Sequence, residues 1–375
     1  MLNQQYQVLH PDSYIEPLLV RVQSNNRLGV CNGIIGTDSM SSSCGKNKGD
    51  RFKLSIPYAR QTLIWNVFFD SQCPEMGPDF IFNDDTFLAN MDIDILSTKI
   101  PSLAKWNPNN KDALLNVLME LLVCYKDHQI QLLHKQEVLK REYTMLMKTD
   151  IRLEDVETLL LPLGSKPTEA RFLISLSVDL SQLQNRTCES ENAVAILHVT
   201  YSGTNWDRIM TQLYLTKPLE DVLGNTQLLL PHFPRNKFLM DYITEVRKCI
   251  SEKINVLVHS FEQRCAFMSV MATNQYLNLC EYDAVNFTYM CYLYGEDDFW
   301  LYILITLTLN FPKEKPIVTL QSVYHMREQG VPYTEQIYFP YSCNWNPLKM
   351  INRLMNHIHY KALEEFKANS IKICS

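Results

Sequence analysis

The residues that could do metal chemistry are His357 and His359, which form a His-x-His pair. In zinc proteases built on such a pair, a Ser and an Asp follow at fixed spacing. Here Lys367 and Ser370 occupy those positions. The pair also lies in a predicted helix, where residues i and i+2 point about 200° apart. We therefore expect no metal site and no cofactor.

Thiol chemistry is the other possibility, because the chain has eleven cysteines. They form no Cys-x-x-Cys pair, their number is odd, and no signal-peptide-like apolar segment precedes them. These features favour reduced thiols in the cytosol or nucleus. Any enzymatic role for a cysteine then depends on where the fold places it.

Composition excludes two classes of partner. The chain is 46% hydrophobic and 20% charged, which is typical of globular domains. Its 35 basic and 41 acidic residues give a net charge of −6 without a basic stripe, which argues against nucleic-acid binding. The longest apolar run, residues 301–309, is too short to cross a membrane.

One arrangement occurs twice along the chain. In each copy two predicted strands precede a proline, a second proline follows after three residues, and then come a third strand and a Trp-Asn-Pro ahead of a helix. The first copy runs from Pro74 to Trp106-Asn107-Pro108, and the second from Pro312 to Trp345-Asn346-Pro347. The predicted strands are 51–56, 61–69 and 79–82 in the first copy and 287–294, 299–311 and 317–323 in the second.

The second copy, with its two prolines, Tyr324-His325 and Trp345-Asn346-Pro347, resembles the ubiquitin-conjugating (UBC) fold. The resemblance implies an active cysteine between the His and the Trp, and thioester chemistry needs that sulfur nucleophile. Cys343 lies only two residues before Trp345, where it would reach the site from a different turn of chain. The expected position holds Glu335, Gln336, Ile337 and Tyr338 in the second copy and Leu96, Ser97, Thr98 and Lys99 in the first. Both copies are therefore expected to be inactive UBC variants (UEV domains).

A closer resemblance is to the BRE family, whose matches are scattered over nearly the whole chain. It rests on residues 50–59, 78–82, 170–173, 321–325 and 340–342. The resemblance implies a non-catalytic scaffold, cytoplasmic and nuclear, that is shared by the BRISC complex and a nuclear Abraxas-containing complex. Both complexes remove lysine-63-linked ubiquitin chains and are tied to ubiquitin signalling and the DNA-damage response.

The same resemblance implies the partners. A von Willebrand A-type subunit would bind the C-terminal domain, and an Abraxas-like scaffold carrying a JAMM-type deubiquitinase would contact the N-terminal part. Ubiquitin chains are a further implied ligand. Two other functions stay open from the residues: a free-standing ubiquitin-binding adaptor, and an active conjugating enzyme that uses Cys343 or Cys73.

The predicted fold class is α+β, with tandem UEV-like domains that each carry an antiparallel sheet flanked by helices. The predicted domains are 1–147, a UEV-like domain ending in a long helix; 148–236, a degenerate β-rich region; and 237–375, a linking helix and a second UEV-like domain. Three strands are predicted in the middle region, at 169–178, 193–201 and 209–216.

The long helix is predicted from residue 111 to about residue 148. Its apolar stripe either meets a partner or packs on its own domain through a bend, because the two cases look alike in sequence. Aromatic residues beside the missing active site are further candidates for partner contact. The candidate partner-binding residues are Leu132, Leu139, Tyr143, Tyr324, His325, Phe339, Pro340 and Tyr341.

Overall fold

The structure is a computed structural model whose described residues form two compact units. The first unit contains the described residues up to Val178 together with Ala193–Leu219 and Leu228–Arg247, and the second consists mainly of Lys248–Ser375. The described residues are 10–24, 29–30, 33–42, 48–89, 92–181, 193–224, 228–234, 237–274, 277–296, 299–327 and 330–374.

The N-terminal part of the first unit is built on a four-stranded antiparallel sheet. The strands of this part are β1 (His10–Pro11), β2 (Gly36–Ser41), β3 (Lys48–Gly49), β4 (Arg51–Tyr58), β5 (Gln61–Phe68) and β6 (Asp79–Phe82). The sheet order is β2-β4-β5-β6, while β1 pairs in parallel with β3. Alternate residues of β4 and β5 are buried, as a half-buried strand requires, and Leu54, Ile56 and Trp65 are fully enclosed.

The described residues of this part of the chain also form five helices, the first four of which contribute residues to the core of this sheet. They are α1 (Glu16–Gln23), α2 (Ile93–Lys99), α3 (Pro101–Ala104), α4 (Ala113–His134) and α5 (Glu137–Leu146). The long helix predicted from residue 111 to 148 is thus two helices, separated at Lys135 and Gln136. Leu133, Leu139 and Leu146 are all fully buried, so the apolar stripe continues across the break into the interior of the unit. Of the two alternatives, the structure has the one in which the apolar stripe bends and packs within its own unit.

A second antiparallel sheet completes the first unit. Its strands are β7 (Val156–Leu161), β8 (Glu169–Ser177), β9 (Val194–Ser202) and β10 (Arg208–Leu215). The chain continues into α6 (Lys217–Leu223) and α7 (Leu239–Ala272), whose residues from Glu220 and from Lys248 onwards belong to the second unit. The sheet order is β10-β9-β8-β7. The three strands predicted in this region are confirmed as β8, β9 and β10, and β7 is an additional strand.

The second unit contains a five-stranded antiparallel sheet in sequential order. Its strands are β11 (Leu277–Tyr282), β12 (Tyr289–Glu296), β13 (Phe299–Thr306), β14 (Ile317–Met326) and β15 (Pro332–Ile337). After them come α8 (Pro347–His357), a π turn (Ile358–Ala362) and α9 (Leu363–Cys374). Helix residues Met350, Ile351, Leu354 and Phe366 join strand residues such as Ile303 in one core.

Within the second unit, α7 is fastened to the loop after β13 by a buried polar group. Arg264 is 1% exposed, and its guanidinium donates to the carbonyl oxygens of Asn286 at 2.8 Å and Leu309 at 3.3 Å. Ser260 Oγ lies 2.9 Å from the same guanidinium and 2.5 Å from the carbonyl oxygens of Leu309 and Phe311. Arg264 and Ser260 thus supply donors to loop carbonyl groups, Asn286 between β11 and β12 and Leu309 and Phe311 after β13.

These elements confirm the predicted mixed α+β class with antiparallel sheets. The six strands predicted in the two similar stretches are present as β4, β5, β6, β12, β13 and β14, with ends that differ by a few residues. Within the described part of the chain, no helix combines the length and the apolar character needed to span a bilayer.

Candidate functional site

In the second unit, the stretch where a UBC-like cysteine was expected forms β15 and its end. Glu335 accepts hydrogen bonds through Oε2 from Tyr333 Oη at 3.0 Å and from Asn369 Nδ2 at 3.4 Å. Tyr338 is 68% exposed, and the Lys315 ammonium stands 4.8 Å from its ring centre. None of these side chains can form a thioester, because none offers a thiolate.

In the first unit, the corresponding stretch is α2. The hydroxyls of Ser97 and Thr98 both donate to the carbonyl oxygen of Asp94 at 2.9 Å, one turn back in the same helix. The two hydroxyls are therefore engaged with their own backbone rather than with a base that could activate them.

Cys343 is exposed, and its hydrogen-bond partner is the amide oxygen Oδ1 of Asn344 at 3.7 Å. An amide oxygen is neither a general base nor a cation, the two kinds of neighbour that activate a nucleophilic cysteine. Among the residues that the structure describes, no cluster of three or more His, Cys, Asp or Glu side chains is placed to hold a metal ion.

The end of β14 carries Tyr324 and His325 on an irregular segment. Ser322, 2% exposed, accepts hydrogen bonds at Oγ from the backbone N–H groups of Tyr324 at 3.2 Å and His325 at 3.1 Å. His325 Nδ1 lies 3.2 Å from the same oxygen. The pairing of β14 with β15 is interrupted here between Gln321 and Met326. A serine hydroxyl therefore replaces the ladder bonds that the bulge removes.

An aromatic contact supports this irregular segment from one side. The Phe299 ring lies 5.9 Å from the Tyr324 ring and 6.2 Å from the His325 ring, between centroids. The Phe366 ring lies 6.4 Å away on the helix side. Tyr324 nevertheless keeps 52% of its surface exposed. The backbone is fixed while this ring remains accessible, which is the arrangement that suits a contact residue.

Residues 339–341 are divided between core and surface. Phe339 is 8% exposed and packs edge-on against Tyr341, with 6.3 Å between ring centres. Tyr341 is half-buried, and its hydroxyl donates to the carbonyl oxygen of Pro312 at 2.5 Å. Burial, with Cys343 nearby, raises the pKa of Tyr341 to about 12. Pro340, between them, is exposed.

Trp345 lies at the start of α8. Asn346 caps the helix by accepting the Lys349 N–H at 2.8 Å, and Pro347 occupies the first turn, where a proline fits without loss of a hydrogen bond. The Trp345 ring is half-buried against the core, with the Lys349 ammonium 5.3 Å and the Arg353 guanidinium 6.0 Å from its centre. These two cations cover the outer face of the ring.

The remaining candidates belong to the first unit. Leu132 is half-buried near the end of α4, whereas Leu139 is fully buried and Tyr143 is 7% exposed on α5. The Tyr143 ring packs against the His134 ring at 5.8 Å. Leu139 and Tyr143 thus serve the core of their own unit, and Leu132 keeps part of its surface available.

Three buried polar residues of the first unit were not predicted from the sequence. Glu157, 2% exposed, accepts the Val30 N–H at 2.6 Å and the Ala59 N–H at 2.8 Å. Gln129 and Asp84 hydrogen-bond to each other inside the same unit. A signal existed for Gln129, because it follows Tyr125 by four residues on the buried face of α4.

The chain has clear relatives. A family model described as Brain and reproductive organ-expressed protein (BRE) matches residues 10–326. A Danio rerio protein named "BRISC and BRCA1-A complex member 2" is 31% identical over 356 residues, covering 90% of each chain. A Branchiostoma floridae protein with the same name is 32% identical over 359 residues, covering 92% of each chain.

Proposed function

The chain belongs to the BRE family, and we propose that it is a non-catalytic scaffold subunit of a deubiquitinase complex that cleaves lysine-63-linked ubiquitin chains. The names of its relatives refer to membership of two complexes, BRISC and BRCA1-A. The observation that carries the proposal is the match to these relatives over about nine-tenths of both chains. The side chains of residues 335–338, none of which is a thiol, support the non-catalytic part.

We propose further that the two similar stretches are UBC-variant (UEV) domains. Each has a hairpin, a loop with two prolines, a third strand and a Trp-Asn-Pro. A shared contact supports the comparison: Trp106 Nε1 donates to the carbonyl oxygen of Pro74 at 3.2 Å, and Tyr341 Oη donates to that of Pro312 at 2.5 Å. In both copies an aromatic side chain fixes the carbonyl of the first proline.

The proposed partners are a von Willebrand A-type subunit at the C-terminal domain and an Abraxas-like scaffold with its JAMM-type deubiquitinase at the N-terminal part. The proposed locations are the cytoplasm and the nucleus, with roles in ubiquitin signalling and DNA-damage repair. Ubiquitin chains are a proposed further ligand. These assignments extend the relatives' complex membership to this chain.

Reconstitution tests the proposal. The chain is co-expressed with the three partner subunits, and cleavage of lysine-63-linked di-ubiquitin is compared with and without it. We expect one stable complex, active only through the JAMM-type subunit, and reduced assembly when the chain is omitted. A chain that stays monomeric beside all three subunits yet binds ubiquitin would instead be a free-standing adaptor.

A ubiquitin-charging assay tests the proposal that the chain is non-catalytic. The chain is incubated with ubiquitin, activating enzyme and ATP, and thioester formation is followed on non-reducing gels. We expect no thioester. A thiol-sensitive adduct that disappears in Cys343→Ser or in Cys73→Ser would identify an active conjugating enzyme and end the scaffold proposal.

Substitutions at Tyr324 and Tyr341 test the partner surface proposed for the second unit. Because the Tyr324 ring is exposed, Tyr324→Ala is expected to lower partner affinity while leaving the free energy of unfolding within about 0.5 kcal/mol. Tyr341→Ala removes a hydrogen bond and core packing together. Both the free energy of unfolding and the affinity for the partner are therefore expected to fall. Equal affinity of Tyr324→Ala and the unaltered chain for the reconstituted partners would exclude this surface.

A further inference from the structure

Two thiols of the second unit lie next to each other on the first two strands of its sheet. Cys280 belongs to β11 and Cys291 to β12, and both have free thiols. β11 is an edge strand of the sheet, and its partner is β12. The separation of the two cysteines in the sequence matches no thiol motif, so the strand pairing is what reveals them.

A bulge brings Cys280 opposite Cys291. Leu279 pairs with Tyr292 and Glu281 pairs with Cys291, so β11 uses one more residue than β12 over this step. Cys280 is that extra residue. Because two residues of one strand oppose a single residue of the other in a bulge, Cys280 and Glu281 both lie opposite Cys291.

The Cys291 thiol is on the side of the sheet that faces away from the core. Its neighbours in β12, Met290 and Tyr292, belong to the core of the second unit, and successive residues of a strand point to opposite faces. Cys280 and the Tyr289 hydroxyl are both side-chain hydrogen-bond partners of Cys291. These contacts place the two sulfur atoms side by side on this face.

The strand pairing gives a separation that suits a disulfide. Residues that face each other in an antiparallel pair have Cα atoms about 4.5–5.5 Å apart. A disulfide joins Cα atoms that are about 4.4–6.8 Å apart. The loop between the strands is held by the Asp283 carboxylate, which accepts the Asn286 N–H at 3.0 Å and the Thr288 hydroxyl at 2.6 Å. The two thiols can therefore join without a change in the pairing of the strands.

The two thiols differ in their access to solvent. Cys280 is exposed, whereas Cys291 is 8% exposed. Burial, with Cys280 nearby, raises the pKa of the Cys291 thiol. A dissolved oxidant therefore reaches Cys280 first, and Cys291 lies beside it as a second thiol. An accessible cysteine next to a resolving thiol is typical of redox-sensing sites.

We propose that Cys280 and Cys291 form a reversible disulfide when the chain meets hydrogen peroxide. The Cys280 thiolate attacks one peroxide oxygen, so that a sulfur–oxygen bond forms and the oxygen–oxygen bond breaks. The departing hydroxide takes up the proton that the Cys280 thiol released. The Cys291 sulfur then attacks the Cys280 sulfenic acid, which forms the sulfur–sulfur bond and expels the second oxygen as water with the Cys291 proton. Two thiols are oxidised and one peroxide is reduced to two water molecules.

Glutathione reverses this modification. Its thiolate attacks the Cys280 sulfur, which is the accessible one, and releases Cys291; a second glutathione then releases Cys280 as oxidised glutathione forms. While the disulfide lasts, it fastens β11 to β12, and the side chains of β11 from residue 278 to residue 282 are exposed. The site thus couples the redox state of two thiols to the stability of one edge of the sheet.

The first test maps the disulfide in the full chain. The reduced chain is treated with hydrogen peroxide, its remaining thiols are blocked with N-ethylmaleimide, and it is cleaved after glutamate, which separates Cys280 from Cys291 at Glu281. Mass spectrometry is expected to find the two peptides joined by a bond that glutathione removes. The folded chain is expected to carry a larger share of this link than a chain oxidised in urea. Absence of the link, or an equal share in urea, overturns the inference.

Variants then assign the role of each thiol. Dimedone, which traps sulfenic acids, is expected to label Cys280 at least about tenfold more in Cys291→Ala than in the unaltered chain, because the fast intramolecular step is lost. Cys280→Ser changes an exposed residue and is expected to abolish the link without dimedone labelling of Cys291. Equal labelling of Cys280 in Cys291→Ala and in the unaltered chain overturns the resolving role of Cys291.

The matched control is Cys343→Ser. Cys343 is also exposed, but its side-chain partner is Asn344 rather than a second thiol. We expect Cys343→Ser to form the link between Cys280 and Cys291 as the unaltered chain does. Loss of the link in this control would show that Cys343 takes part in the oxidation and would overturn the assignment to the strand pair.

Hydrogen exchange tests what the disulfide does to the sheet. Exchange in β11 and β12 is compared between the oxidised chain and the same chain after reduction by glutathione. We expect exchange in the oxidised chain to be at least about tenfold slower there, because the cross-link disfavours opening of the edge. Exchange in β4 and β5 of the first unit is expected to stay the same. Equal exchange of β11 in the two forms overturns the coupling between thiol state and edge stability.

Discussion

The substitution Glu157→Gln tests whether the two sheets of the first unit form one body. Glu157 is the second residue of β7 in the second sheet, and its carboxylate accepts the N–H of Ala59 in the turn of the first sheet. It also accepts the N–H of Val30. Tyr58 adds a bond from the hairpin to the Thr158 carbonyl oxygen at 3.2 Å. The carboxylate therefore joins segments that are far apart in sequence.

The turn that Glu157 binds has a backbone conformation that few residue types favour. Tyr58 pairs with Gln61, which leaves Ala59 and Arg60 as a two-residue turn, and both have positive φ, at 45° and 60°. Such a turn suits the twist of a hairpin, but it favours Asn and Gly over residues with larger side chains. A hydrogen bond to the Ala59 N–H helps to hold this conformation.

The expected cost follows from the two bonds. A hydrogen bond to a charged group contributes about 1.5–3 kcal/mol, and the substituted amide can accept only one of the two N–H groups while its own NH₂ faces the other. We expect Glu157→Gln to lower the free energy of unfolding by about 3 kcal/mol. For a unit of this size that corresponds to a fall in Tm of about 6–12 °C.

Thermal unfolding followed by tryptophan fluorescence measures this effect, because Trp65 is fully buried in the first unit. The control is Glu75→Gln, which removes the same charge at an exposed position and is expected to stay within about 0.5 kcal/mol of the unaltered chain. If Glu157→Gln and Glu75→Gln unfold at the same temperature, Glu157 does not join the sheets energetically.

Three further predictions concern the second unit. Arg264→Met removes the donor to the Asn286 carbonyl oxygen, while Leu309 keeps Ser260 Oγ as a partner, and is expected to cost about 1–3 kcal/mol, seen as faster hydrogen exchange in β12 and β13 but not in β4 and β5. Asn346→Ala removes a helix cap and is expected to cost about 1 kcal/mol, with faster exchange at the start of α8, whereas Asn346→Asp retains it. The pKa of Tyr341 is raised to about 12 in the folded chain, against about 10 when unfolded. The contribution of its protonated hydroxyl to the free energy of unfolding is therefore complete below about pH 10 and is lost as the pH rises towards 12. Alkaline unfolding curves of Tyr341→Phe should lack this loss.

The strands were predictable because their signals are local. Alternation in residues 51–56 and the aromatic and β-branched residues around 299–306 predict β4 and β13 from the sequence alone. β7 was not predicted because its residues are buried on both faces, so apolar and polar residues do not alternate along Val156–Leu161. The break between α4 and α5 was not predicted because Lys135 and Gln136 are ordinary helix formers, and no Pro or Gly marks the break.

The candidate surface was predictable only as a set of residue types. Tyr324 and Tyr341 look alike in the sequence, yet one ring is exposed and the other is fixed to Pro312. Likewise, Leu132 and Leu139 belong to one predicted stripe, but only Leu132 keeps exposed surface. Such differences depend on which element packs beside each residue, and single-sequence periodicity does not contain that information.

Gln129 links the segment after β6 to the second sheet of the first unit. Its Nε2 donates to Asp84 Oδ2, while its Oε1 accepts the N–H of Leu160 in β7 at 3.0 Å. Gln129 therefore makes a polar connection between the two sheets of the first unit, in addition to the one that Glu157 makes to the hairpin turn.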